Sequence, residues 1–156
     1  MLSWLESTSL AVWLRESPTI WANATVLTLH TAGMALLVGA SWVLDLRLLG
    51  INCNVPLSAF RWVFPAVMAG LIVNVVTGVL LFMQRAPALA TAMPFLVKMG
   101  LVVASIATLF PLRSLVRRGG AEQREVSGRA RLLAVASILA WSGAVTAGRL
   151  LAYLVP

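Results

Sequence analysis

Four long apolar runs, each ended by a short polar or proline-bearing break, set the layout of the chain. Each run has the length that about 20 residues of helix need to cross a bilayer. The pattern predicts spans over about 21–44, 62–83, 95–112 and 132–154. The helix of the first span can continue to Leu49, where Gly50 stops it. Pro65 falls in the first turn of the second span, where a proline is tolerated. Gln84, Arg85 and Pro87 break the chain before the third. Ahead of the spans, residues of about 3–16 alternate differently. Trp4, Leu5, Leu10, Trp13 and Leu14 interleave with Glu6, Ser7, Ser9 and Arg15. Tryptophans mixed with polar positions predict an amphipathic helix lying at the membrane interface. Ser3 and Glu6 have capping-box spacing for its start, and Ser17-Pro18 reads as the N-cap and first residue of the next helix. The expected fold is all-α, a four-helix transmembrane bundle with an N-terminal interfacial helix, in one membrane domain.

Composition narrows the function classes. The chain is 60% hydrophobic and only 11% charged, against about 25% charged in a soluble domain. That excludes a disordered chain, a disulfide scaffold and most soluble enzymes. The first fourteen residues carry no basic residue and are interrupted by polar ones, so they do not read as a signal peptide. A net charge of +7 would suggest nucleic acid in a soluble protein. In a membrane protein it reads as topology, with no nucleic-acid partner implied. Arg47, Arg61 and the six arginines between Arg113 and Arg131 fall on one side. Arg15, Arg85, Lys98 and Arg149 fall on the other. The positive-inside rule then places the two basic loops in the cytoplasm and both termini outside. Cys53 is the only cysteine, which leaves no internal disulfide and no CxxC pattern. No HExxH, phosphate loop or Ser/His/Asp set is present.

Polar residues inside the spans carry the chemistry. His30 lies about 13 Å below the outer end of span one at about 1.5 Å per residue. Asn74 in span two lies at a similar depth, Lys98 opens span three, and Arg149 closes span four. Each span thus sends one polar side chain into the outer half. Lys98 and Arg149 are also close enough to the surface to snorkel. Asn74 sits between Gly70 and Gly78, the spacing of a close helix-packing seam with one interhelical hydrogen bond. His30 is too deep to reach water; it is either a structural histidine bonded to the backbone or a ligand. Ala32, Gly33, Gly39 and Ala40 leave room beside it for a helix or a flat cofactor. A haem with iron on His30 and propionates toward Lys98 and Arg149 matches the depths. Met34, one turn from His30, instead suggests a soft copper(I) site. Asp45 and Arg47 read as an ion pair ending the first span and docking on Arg113 or Arg117.

The run from His30 to Gly39, the block Leu44–Gly50, and the later pieces Gly78–Phe82, Phe95–Lys98 and Ala147–Tyr153 together resemble a family of bacterial four-span membrane proteins. More distantly, a histidine in an early span followed by a lysine opening a later one is similar to CopD-like copper-resistance proteins and HemJ-like membrane proteins. The first likeness implies copper and the second haem b, with His30 and Lys98 as the paired positions. The basic signature of the HemJ-like enzymes is missing, so protoporphyrinogen oxidation is not implied. Three functions follow as expectations. The first is a b-type haem protein of the bacterial inner (plasma) membrane, passing electrons near the outer face. The second is a copper-handling protein using His30 and methionines. The third is an accessory subunit of a larger membrane complex. One histidine per chain adds the expectation that a second copy, in a homo-oligomer, supplies another axial ligand.

Overall fold

The computed structural model describes residues 2–19, 21–118 and 126–154. Among these there is no strand, and four helices are long and apolar enough to cross a membrane. In chain order the helices are α1 (Ser3–Glu6), α2 (Ser9–Glu16), α3 (Trp21–Leu49), α4 (Val63–Met83), α5 (Ala86–Thr91), α6 (Met93–Arg118) and α7 (Gly128–Leu154), with a 3-10 turn over Leu57–Trp62. The spans alternate in direction, so α3 begins and α7 ends at one end of the bundle, called here the terminal end. The opposite, loop end carries the α3–α4 and α6–α7 connections. Arg124 of the basic connection lies outside the described residues.

Local chemistry moves several expected boundaries. The interfacial helix is two helices rather than one. Ser7 Oγ donates to Trp4 O at 2.9 Å and Thr8 Oγ1 to Leu5 O at 2.7 Å, which gives the backbone there an alternative to continuing the helix. Thr8, not Ser3, then caps the longer piece, accepting from Ala11 N. Pro18 sits in the bend before α3 rather than inside its first turn. α6 runs through Pro111, past the expected end at Leu112. Beyond Pro111 it becomes amphipathic: Leu112 and Val116 are buried while Arg113 and Arg117 are exposed. A buried stripe at i and i+4 keeps the helix against the bundle where the membrane no longer requires it.

Packing is uneven around the bundle. α3 packs on α4 and on α7, and α7 packs on α6. α4 and α6 do not pack along their lengths. They meet at the terminal end through the stacked rings of Phe82 and Phe95, whose centroids are 5.3 Å apart. At the loop end the 3-10 turn bridges both. The tight core lies toward the loop end, where Leu44, Leu48, Leu57, Val63 and Val116 are fully buried. A smaller cluster of Leu14, Ala22 and Val26 with Leu80 and Leu81 seats α2 against the terminal end. There Arg15 donates to Gln84 O and Gln84 Nε2 donates to Asn23 Oδ1. Between these two packed ends the bundle is hollow.

Asp45 and Arg47 behave differently from the expected ion pair. Arg47 is 1% exposed and sends Nε to Val55 O at 2.7 Å and Nη2 to Cys53 O at 2.9 Å. It therefore holds the connection after α3 by its carbonyls. Arg113 and Arg117 point outward, and Asp45 makes no ion pair among the described residues. The connection after α3 comes close enough for its carbonyls to take two of the guanidinium nitrogens, where a carboxylate was expected.

Candidate functional site

The hollow is a cavity of about 540 Å³ walled by all four spans. That volume falls in the range of about 300–1,000 Å³ typical of small-molecule and cofactor sites. Its lining is almost wholly apolar, and the polar side chains that reach it are few. His30 and Met34 come from α3, Asn74 from α4, Lys98 and Met99 from α6, and Trp141 from α7. Val75, Val79 and Met99 line the cavity and are also exposed at the bundle surface. With α4 and α6 unpacked, the cavity opens sideways between them toward the surrounding lipid. Four of the residues singled out above, His30, Met34, Asn74 and Lys98, come together here. Arg149 does not: it is exposed and absent from the cavity wall.

The His30 ring is held in a defined way. Its Nδ1 lies 2.9 Å from Thr77 Oγ1. The Thr77 hydroxyl donates its own proton to Val73 O at 2.6 Å. Only a lone pair remains for the histidine, so in the neutral ring Nδ1 carries the hydrogen and Nε2 is left with its lone pair free. A partner that fixes one ring nitrogen in this manner is the usual support of a metal-binding imidazole. Thr77 was not visible as a site residue in sequence, since threonine at that position reads as an ordinary small residue of an apolar helix. The one signal available was its register, one turn after Asn74 and just before Gly78.

Glycines shape the surroundings of both polar groups. A Cβ on Gly78 would lie 3.4 Å from His30 Cε1, and one on Gly148 would lie 3.5 Å from Lys98 Cδ, Cε and Nζ. Gly78 thus leaves space for the imidazole, and Gly148 lets the lysine stem lie along α7. Of the two roles expected for Gly33, the structure shows the close approach of a helix. A Cβ there would meet Val73 and Asn74 at 2.8 Å, so Gly33 admits α4 rather than a cofactor. Asn74 spans the same crossing, donating Nδ2 to His30 O at 3.2 Å. That is the interhelical hydrogen bond expected of a packing seam, made by a residue that also faces the cavity. Among the described residues no group of three or more His, Cys, Asp or Glu could hold a metal ion.

The Thr77 contact makes a direct prediction. In protein labelled with ¹⁵N at its single histidine, the ring should show a protonated Nδ1 and an unprotonated Nε2. Thr77→Val should populate the other tautomer, and Thr77→Ser should restore the original spectrum. An unchanged spectrum in Thr77→Val would mean that the threonine does not set the ring.

No protein-family model, curated protein or solved structure matches the chain.

Proposed function

We propose that the chain is a membrane-embedded haem b protein that passes electrons near the outer face of a bacterial plasma membrane. The observation that carries this reading is His30, with Nδ1 tied to Thr77 and Nε2 unengaged, on the wall of a large apolar cavity. The residues present fit the group. The His30 imidazole would hold the iron, the size and apolar lining suit a flat macrocycle, and the Lys98 ammonium would meet a carboxylate. Met99 and Lys98 approach from α6, the helix facing α3 across the cavity, and are the candidates for a second ligand within one chain; His30 of a second copy is the candidate from outside it. When bound, haem would supply one-electron chemistry, and the protein would hold and orient it and keep water away. The membrane-facing opening between α4 and α6 supports a ligand that partitions into lipid.

A specific arrangement favours a second reading. Met34 and Met99 line the same cavity as His30, giving two thioethers and one imidazole, a soft donor set for copper(I). A cavity of about 540 Å³ is far larger than a single ion requires, which ranks this reading second. The absorption spectrum of protein purified from haem-replete cells separates the two. A Soret band supports haem; colourless protein that contains copper supports the alternative.

The orientation belongs to the same proposal. The basic connections at the loop end favour the cytoplasm, which puts both termini outside. Cys53 is free, exposed and at the loop end. It should therefore resist a membrane-impermeant maleimide in intact cells and react once the membrane is permeabilised. Labelling in intact cells would invert the topology and put the cavity in the cytoplasmic half.

A further inference from the structure

Among the described residues, four buried polar side-chain atoms make no hydrogen bond, and all four lie on α3 or α7: Asp45 Oδ2, Arg47 Nη1, Ser137 Oγ and Trp141 Nε1. A buried group left without its hydrogen bond costs about 1–3 kcal/mol, and native interiors contain few of them. Their concentration on two helices that pack together calls for a common reason. Ser137 is the hydroxyl that neighbours the Asp45 carboxyl. Trp141 lies one turn further along α7 and lines the cavity. A carboxyl, a hydroxyl and an indole N–H therefore follow one another from the loop end to the cavity wall. Asp45, Ser137 and Trp141 are 1%, 0% and 2% exposed.

We propose that Asp45 is a proton-exchange site at the loop end, with Ser137 as the neighbour of its carboxyl and Trp141 one turn further along α7 at the cavity wall. An ionised carboxylate buried without a cation costs several kcal/mol, and acids inside spans mark proton and ion routes. Among the described residues no cation faces Asp45. On its own helix, Arg47 directs Nε and Nη2 to the Val55 and Cys53 carbonyls. Arg61 before α4, Arg113 and Arg117 on α6, and Arg129 and Arg131 on α7 are exposed. A bound proton removes the charge and makes the oxygen a donor toward Ser137, whose hydroxyl can both accept and donate. The proton arrives from water at the loop end and leaves by the same carboxyl oxygen, with no electron transferred. This site stands whether or not a haem occupies the cavity.

Infrared spectroscopy of the purified chain in lipid vesicles tests it. Asp45 is the only acid within the spans; Glu6 and Glu16 lie in the short N-terminal helices. The wild type should show the carbonyl stretch of a buried protonated carboxyl that moves on exchange into D₂O. Asp45→Asn, nearly identical in shape, should abolish the band. Ser137→Ala and Trp141→Phe should each shift it, because each removes one buried polar group of α7 on the carboxyl's side of the cavity. Glu6→Gln/Glu16→Gln should leave it in place. A band that survives Asp45→Asn, fails to exchange, or ignores both Ser137→Ala and Trp141→Phe overturns the proposal. Should Asp45→Asn fail to fold, the exchange behaviour and the two α7 variants decide the matter.

Discussion

His30→Ala protein, purified from haem-replete cells, should be folded and colourless where the wild type is coloured. The expectation of an intact fold follows from how little the ring contributes to packing. Its hydrogen bond is to Thr77, whose own proton already goes to the Val73 carbonyl. Losing such a contact costs about 1 kcal/mol. The helix crossing beside it is made by Gly33, Gly70 and Asn74, which the substitution leaves alone. Cofactor binding depends on the ring far more. His30 is the only imidazole in the chain, and no residue beside it offers an equivalent nitrogen. Lys98→Ala should weaken haem retention by about tenfold, the equivalent of one charge-assisted hydrogen bond. A lysine that ligated iron would instead change the spin state of the spectrum. Arg149→Ala should leave retention unchanged, since that side chain lies outside the cavity. Wild type that purifies without haem by pyridine haemochrome assay, under haem-replete growth, removes the haem reading.

Gly70→Leu should be the most damaging single substitution on the α3–α4 crossing. A Cβ at position 70 would lie 2.7 Å from Leu37 N and 2.8 Å from Gly33 O. Both are backbone atoms, so no side chain can rotate away and the helices must separate. Overpacking of this kind costs about 3 kcal/mol or more. Asn74→Ala removes one interhelical hydrogen bond, worth about 1 kcal/mol in a membrane. Thermal unfolding in detergent should therefore rank Gly70→Leu well below Asn74→Ala. The opposite ranking would show that the asparagine, not the close approach of backbones, holds the crossing. Separation of α3 and α4 would also displace Thr77 from His30, so Gly70→Leu should lose ligand as well as stability.

The spans were readable in sequence because a bilayer admits few solutions. A run of about 20 apolar residues in lipid has to be a helix, whatever its neighbours. Depth followed from counting along those helices, which is why His30, Asn74 and Lys98 were found before their contacts were known. Rotation about each helix axis was not available in the same way. Lipid-facing and buried positions are both apolar here, so no amphipathic stripe says which way a side chain points. Arg149 shares a depth with the site and faces elsewhere for that reason. Thr77 was missed because its role depends on α4 meeting α3 at one register. Asp45 and Arg47 were misread for a related cause. Charges two residues apart in a chain suggest each other as partners, but the connection after α3 supplies the Cys53 and Val55 carbonyls, which sequence spacing does not reveal.

A bundle closed on every side has to fold around its prosthetic group or open again to receive it. This one is built as two helix pairs, α3 with α4 and α6 with α7, joined through α3 and α7 and apart along the fourth flank. On the proposed haem reading, assembly and loading would therefore be separable events. The polypeptide would leave the insertion machinery finished and empty, and the proposed ligand, diffusing in the plane of the membrane, would slip in afterwards without crossing water. The same route would lead out. Retention would then depend on the company the protein keeps: a detergent tail or an acyl chain of the right width would compete for the same space, and the lipids used to isolate the protein would become part of the binding equilibrium.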